Sequence, residues 1–374
     1  MPNTILTPQI IAREALLQLS NNLVMGNLVR RDAVTEFSAA VGDTVTIRKP
    51  ASFTAADMSG ISASDIKEVG IPVVMAKWRG VKFGLTAKEA AMSLKEYSER
   101  TIQPAVAAIV QDVDAFLCQL LQHLPYKKLQ TASTVVIGDI AGLAADMTIR
   151  KVPLQNRRLV LDPTSAAKYK VLAPILDASQ RGNNAAIADA QIGRILGFDA
   201  WEDQNVLTEG TKVGDFATAA TPAAVALGAE SMASTASAAT SGLLPAGTTF
   251  TKAGDSQIYA LTEDATQVAA VGCTLKFSPP NQVAVVTPQN ITVGTIASTG
   301  KTESAGFHRD CLTLVTCPLA KPVSVPSEVI SENGLSIRVV YAFDQTAWSD
   351  VIALDVLYGG RVLNVELGER LIGQ

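Results

Sequence analysis

The chain has 374 residues, of which 48% are hydrophobic, 18% charged and 5% aromatic. That is enough apolar material for two or three packed cores, and it excludes both a small disulfide-stapled module and overall disorder. Lys plus Arg number 31 against 35 Asp plus Glu, a net charge of −4, which excludes the basic excess of a dedicated nucleic-acid binder and leaves room only for a locally basic face.

The opening MPNTILTPQIIAREALLQL has no basic stretch before an apolar core, and no uncharged apolar run reaches about 18 residues. A soluble, cytosolic protein with no membrane segment is expected. Thr7-Pro8 is a helix start, and the helix runs to about Met25. Leu16, Leu19 and Leu23 form one sticky stripe opposite Arg13, Gln18 and Asn22. From Val41 the period changes to two, with Val45 and Ile47 alternating with Thr44, Thr46 and Arg48, and Pro50 ends the strand. Residues 51–70 are small, polar and acidic, which predicts the tip of a long projecting hairpin whose return strand runs from Ile71 to Leu85.

Thr86-Ala-Lys-Glu89 is a capping box opening a long helix to Leu124, its apolar positions stepping by three and four. Pro104 falls inside that helix and predicts a kink. Residues 126–208 read as an α/β unit: a buried strand in RRLVLDP (157–163), a helix from Thr164 to Leu176, a helical stretch from Ile187 to Leu196 and a strand in FDAWEDQNV (198–206). Between Asp215 and Lys252 the only charge is Glu230, and 217–249 is nearly all Ala, Thr, Ser and Gly. Short runs follow at about ten-residue intervals (QIYAL, QVAAV, TLKF, QVAVV, NITVGTI), the signature of a small β-sandwich or barrel inserted at 209–304. GFHRDCLTLVTCPLAKP (306–322) resumes the α/β character, and SIRVVYAFD, VIALDVLYG and RVLNVEL are strand-like runs at the end.

Candidate chemistry is sparse. Cys118, Cys273, Cys311 and Cys317 show no CxxC spacing, so neither a zinc site nor a disulfide framework is indicated, and no phosphate-binding glycine motif or HExxH is present. His123 ends the long helix. His308, Asp310 and Cys311 could supply a base, an orienter and a nucleophile, but neighbouring strand residues point to opposite faces and cannot form a triad among themselves. Acidic pairs such as Asp112/Asp114 read as ordinary helix faces. Basic residues occur as dispersed groups, Arg30-Arg31, Lys77/Arg79/Lys82, Lys127-Lys128, Arg150-Lys151 and Arg157-Arg158, which suit a solvated surface better than a polyanion site.

A sticky helix, a projecting hairpin, a long helix and a returning sheet without a catalytic constellation form a plan for contacts between copies. The segments GDTVTIRKP, GLTAKEA, TIQPAVAAIVQDVDAFL, GFHRDCLTLVTCPL and GLSIRVVYAFDQTAWSDVIALDVLYGG resemble the major capsid proteins of tailed double-stranded DNA bacteriophages, more narrowly the short-tailed-phage coat group with an inserted domain. The resemblance implies an α+β, Johnson (HK-ninety-seven-like) fold. It implies an N-terminal arm (1–40), an extended loop hairpin (41–85), a peripheral domain with its spine helix (86–125 and 335–374), an axial domain (126–208 and 305–334) and an inserted β domain (209–304). It implies a homo-oligomer of pentamers and hexamers in an icosahedral shell around the genome, assembled in the host cytoplasm. Scaffolding and portal proteins are the implied partners, with weak non-specific contact to packaged DNA and no cofactor or metal. Phe53, Met58, Ile61, Trp78, Leu16, Leu19 and Leu23 are the expected inter-subunit contacts, and Pro104 the expected spine-helix kink. An encapsulin-type compartment shell is the alternative within the fold, and a hydrolase using His308 or a Cys the alternative outside it.

Overall fold

The computed structural model describes residues 8–31, 44–49, 69–85, 98–130, 135–177, 192–208, 210, 219–220, 225–234, 242–268, 272–284, 290–294, 301–344 and 349–373. The chain divides into two units, Met1–Asp114 with Leu312–Leu363, and Ala115–Cys311 with Asn364–Gln374.

In the first unit the stripe of the Pro8–Asn22 helix is buried, with Ile11, Ala12, Ala15, Leu16 and Leu19 turned inward. It packs against the strands Ser327–Glu332 and Leu335–Asp344. The helix stops short of Met25, and a separate turn of helix, Met25–Leu28, follows. Arg30 then bridges to Thr313, donating to the Leu312 carbonyl at 3.1 Å and accepting from the Leu314 amide at 2.9 Å.

The period-two strand is Thr44–Lys49, paired antiparallel with Val69–Val74. Val45, Ile47, Val73 and Met75 cluster with Val315 and Cys317, so this hairpin stem is seated on its own subunit's sheet. The expected hairpin tip lies outside the described residues. The single return strand expected over 71–85 is two strands. The chain turns at Ala76, whose amide donates to the Val74 carbonyl at 3.0 Å, and Lys77–Leu85 pairs with Ser349–Val362 instead. The turn sits so close to the sheet that a Cβ at Gly359 would overlap the Val74 carbonyl oxygen. Gly359→Val should therefore lift the stem and cost about 1–3 kcal/mol, read as a lower urea midpoint of the unassembled subunit. An unchanged midpoint would show that the stem is not held there.

The sheet runs in the order Leu312–Cys317, Ser349–Val362, Leu335–Asp344, Ser327–Glu332, with Lys77–Leu85 also on the long strand. Strand pairing thus regroups two segments of the expected division. Residues 312–334 join 335–362, because Asn333-Gly334 closes a two-residue hairpin between Glu332 and Leu335. Gly368–Ile372, expected in this sheet, pairs in the second unit. The expected run RVLNVEL is divided likewise, since Arg361 and Val362 end the long strand and Val365–Leu367 is a 3₁₀ turn.

Ser98–Ile102 is a π-helical turn leading into the α-helix Gln103–Leu121. The capping box and 91–97 lie outside the described residues. Pro104 is the second residue of the α-helical run, not a break within it. A proline ring clashes with the carbonyl four residues before it, and the wider π turn is where such a ladder defect is absorbed. The span Arg100–Leu121 is long and apolar enough to cross a membrane by length and composition, yet more than half of it is buried inside the protein. Ile102, Val106, Ile109, Val113 and Leu117 are among its buried residues.

The second unit holds a mixed sheet ordered Lys127–Leu129, Gly368–Ile372, Glu303–His308, Arg157–Leu161, Phe198–Glu202, Arg194–Ile195. Leu143, Met147, Leu159, Leu161, Tyr169, Phe198 and Leu371 belong to its core. Two elements differ from expectation. A helix at Ile137–Ile149 was not anticipated, its alanines and glycine blurring the period, and residues 194–195 are a strand in a region read as helical. The Asp-Pro signal holds: Pro163 opens the helix Pro163–Lys170, and Asp162 caps it by accepting from the Thr164 and Ser165 amides at 3.1 and 3.0 Å. Burial pushes the Asp162 carboxyl up, but hydrogen bonds from Ser165, Thr164 and Thr302 outweigh it and hold the group below the usual aspartate value of 3.8. A depressed folded pKa contributes stability above the unfolded pKa that is lost as pH falls through the folded one. Asp162→Ala should cost about 1–2 kcal/mol at pH 7, with the gap to the parent protein closing below about pH 4. A gap that stayed constant in urea melts from pH 7 to 3 would remove the carboxylate from the account.

Within 219–293 a six-stranded sheet runs Ala219–Ala220, Asn290–Val293, Thr249–Lys252, Ile258–Leu261, Cys273–Ser278, Ser231–Ser234, and Gly242–Leu244 pairs with Ala265–Gln267. Among the described residues these strands pair only with one another. Several lie in the small-residue lead-in that carried no strand expectation, whereas Gln282–Ala284, in the run QVAVV, is not strand. Phe250, Tyr259 and Phe277 stack and meet edge to face in their core.

Candidate assembly surfaces

The residues expected to meet a neighbour divide three ways. Leu16, Leu19 and Leu23 are buried within their own subunit, which corrects their assignment as inter-subunit contacts: an amphipathic stripe reports that a face is covered, and the helix carrying Leu16 and Leu19 packs on the subunit's own sheet. Phe53, Met58 and Ile61 lie outside the described residues. Trp78 is 65% exposed.

Trp78 is exposed but not loose. Its indole N–H donates to Asp355 Oδ2 at 2.9 Å. Asp355 is in turn gripped by Arg338, whose Nε and Nη2 donate to Oδ1 and Oδ2 at 3.0 and 2.5 Å, while Arg338 Nη1 reaches the Ala320 carbonyl at 2.7 Å. A bidentate guanidinium–carboxylate pair fixes its partner's orientation, so the indole is held with its ring outward. An aromatic ring ordered before contact loses little rotamer freedom on binding.

Asp112 and Asp114 are more than a helix face. Asp112 accepts from the Tyr358 hydroxyl at 2.5 Å and lies 3.4 Å from Arg79 Nε. Burial, then the bond to Asp112, push the Tyr358 phenol up. Asp114, buried, accepts from the Val24 and Gly26 amides at 2.8 and 3.0 Å. Residues two apart project to different sides of a helix, so one turn ties the sheet and the N-terminal segment separately. Nothing in the pattern DVD distinguishes this from a solvated face.

Several of the dispersed basic residues are committed inside the subunit. Arg157 is buried and donates to the carbonyls of Pro153, Ala144 and Val152 and to Thr148 Oγ1. Lys128 pairs with Asp146 at 2.6 Å and Arg150 with Glu369 at 2.7 Å.

The candidate triad is placed differently from expectation. His308 ends a strand, and Arg309–Cys311 is a 3₁₀ turn that brings Asp310 back to it, with His308 Nδ1 3.6 Å from Asp310 Oδ2. Burial lowers the His308 pKa against the pull of Asp310. Cys311 is fully buried and burial pushes its thiol far up, so it is held as the unreactive thiol rather than the nucleophilic thiolate. Among the described residues no three His, Cys, Asp or Glu gather as metal ligands.

The family model described as P22 coat protein - gene protein 5 matches residues 3–278. No curated protein sequence matches. Among solved structures the chain is similar to that of Mycobacterium phage Che8, at 16% identity over 93% of this chain and 90% of that one, with a TM-score of 0.50. It is also similar to the capsid of the cyanophage P-SCSP1u (11% identity, 90% and 85% covered, TM-score 0.47) and to that of Ralstonia phage GP4 (10%, 93% and 87%, 0.46). At such identities the likeness is one of fold, α+β and HK-ninety-seven-like.

Proposed function

Because the chain belongs to the P22 coat protein family and is a major capsid protein forming a phage shell, we propose that it closes into an icosahedral container for a double-stranded DNA genome. The family match over residues 3–278 carries this reading. The fold supports it with elements that suit rings of five and six, namely a hairpin stem seated on the subunit sheet and a helix with a π turn at Ser98–Ile102, just before Pro104, where small angle changes can be absorbed. The committed basic residues fit a wall that touches packaged DNA weakly. Scaffolding and portal proteins are the partners such a shell calls for. Segment 209–304 is the inserted β domain in this reading, supported by its own sheets and aromatic core.

The purified chain, examined by electron microscopy and sedimentation with and without a co-expressed scaffold, should yield closed shells of one size. Open sheets or monomers under both conditions would sink the reading. Trp78 is the contact residue we place at a neighbour. Trp78→Ala should leave the subunit melt within about 1 kcal/mol of the parent, since the ring is mostly solvated, while raising the concentration needed for assembly about tenfold or more. Unaltered assembly would remove Trp78 from the interface.

A further inference from the structure

The β segment within 219–293 holds a buried amine against a buried carboxamide. Lys252 ends the strand Thr249–Lys252, and Asn281 follows the strand Cys273–Ser278. Each is 2% exposed. Lys252 Nζ donates to Asn281 Oδ1. The other end of the carboxamide is turned away, its Nδ2 donating to the Val225 and Ala226 carbonyls at 3.2 and 2.9 Å, so Asn281 presents its carbonyl to the lysine.

A third group completes the set. Asp255, in the turn after the lysine strand, has its side chain almost wholly buried and places Oδ2 3.5 Å from Nζ. That is long for a charge-assisted hydrogen bond, in which N and O approach to about 2.7–2.9 Å. The carboxylate is held instead by the Tyr259 hydroxyl at 2.6 Å and the Gln257 amide at 2.9 Å. Burial pushes the Asp255 carboxyl up, but these bonds and the Lys252 charge hold it below the usual 3.8. It stands as a base beside the amine. Burial lowers the Lys252 pKa, with Asp255 pulling the other way. The Tyr259 and Phe277 ring centroids lie 4.3 and 5.9 Å from Nζ, and both rings belong to the apolar core of the segment. A desolvated lysine next to a base is an activated nucleophile, and one held on a single carbonyl meets it at a high effective concentration.

We propose that Lys252 and Asn281 of one chain join in an isopeptide bond, with Asp255 as the base. The ammonium gives one proton to Asp255 Oδ2, and the freed Nζ lone pair attacks Asn281 Cγ. A second proton moves from Nζ to Nδ2, the Cγ–Nδ2 bond breaks with its electron pair on nitrogen, and ammonia leaves. The third proton stays on the new amide. Ammonia carries the Asp255 proton into solvent as ammonium, which restores the carboxylate. The step needs no oxidant and no co-reactant. It replaces a buried ammonium, costly to keep from water, by a neutral amide. It also ties together two positions 29 residues apart across the β segment. An ion pair alone needs only the carboxylate; a carboxamide turned carbonyl-first toward the amine is what bond formation needs. The inference goes beyond the coat-protein reading and does not depend on it.

The experiment is intact-mass spectrometry and a tryptic map of the full-length wild-type chain, fresh and after prolonged incubation. The mass should fall short of the sequence mass by one ammonia. Trypsin should no longer cut after Lys252, and residues 213–276 should appear joined to 277–301 as one branched peptide. Lys252→Arg, which keeps a cation but removes the amine, and Asp255→Ala should each retain the full mass. Asn281→Asp should lose no ammonia. A full mass in the wild type would overturn the proposal, as would ammonia lost without the branched peptide, the result of ring closure at a site such as Asn333-Gly334. An ammonia deficit persisting in Asn281→Asp would overturn Asn281 as the acceptor, and a bond formed at the wild-type rate in Asp255→Ala would overturn Asp255 as the base. The wild-type map decides by itself, whether or not a variant folds. Shell assembly enters neither measurement, so failure of the bond and failure of the coat reading are separate results.

Discussion

Arg370→Met is expected to destabilise the subunit by about 3–5 kcal/mol, the usual cost of removing one member of a buried ion pair and leaving the other uncompensated. Arg370 is fully buried on Gly368–Ile372. Its Nη1 donates to Glu303 Oε1 at 3.0 Å and its Nη2 to the Gly247 carbonyl at 2.6 Å. The guanidinium thereby joins a turn of the 219–293 β segment to two neighbouring strands of the mixed sheet. Gly247 has φ 81°, and a Cβ there would lie 2.7 Å from Arg370 Nη1, so the turn comes this near only as glycine. Adding Glu303→Leu to Arg370→Met should restore much of the loss, since an apolar pair of similar volume costs little in place of a buried ion pair. Urea unfolding of the single and double variants reads both effects. A single-variant loss below about 1 kcal/mol would mean that water reaches the pair.

Asp255→Ala should have the second largest effect, again about 3–5 kcal/mol at pH 7. Lys252 is buried, with Nζ 3.5 Å from Asp255, bonded to Asn281 Oδ1 and 4.3 Å from the Tyr259 ring centroid. Asp255 also accepts from the Tyr259 hydroxyl at 2.6 Å and the Gln257 amide at 2.9 Å. Burial lowers the Lys252 pKa below its usual 10.5 while Asp255 pulls it back up. Removing the carboxylate leaves burial unopposed and lowers it further. Between the folded value and 10.5 the unfolded chain binds more protons than the native one, so stability there rises with pH. The deficit of Asp255→Ala should therefore be largest near neutrality and shrink as pH is raised toward about 10. A deficit independent of pH from 7 to 10 would show that the lysine charge is not what the carboxylate compensates.

These two networks mark where sequence reasoning loses its grip. Lys252 is conspicuous in a stretch with almost no charge, yet composition does not say whether a lone lysine is buried or tethered in solvent. Arg370 and Glu303 are 67 residues apart, and only the pairing of their strands makes them partners. Asp112 and Asp114 repeat the point on a helix, where identical side chains two residues apart serve unrelated segments.

What the sequence determined by itself is local. Steps of three and four buried one face of Pro8–Asn22, alternation placed Val45 and Ile47 on one side of a strand, and Asp162-Pro163 ended a strand and capped a helix, because each depends on backbone geometry within a few residues. The tertiary structure decided against what each face is packed. The Pro8–Asn22 helix with Leu16 and Leu19 covers its own sheet, Lys77–Leu85 leaves its hairpin for the long strand, and the small-residue lead-in forms strands because partners distant in sequence complete their ladders. The free energy of a ladder or a packed face belongs to both sides of the contact, and a single segment encodes only one of them.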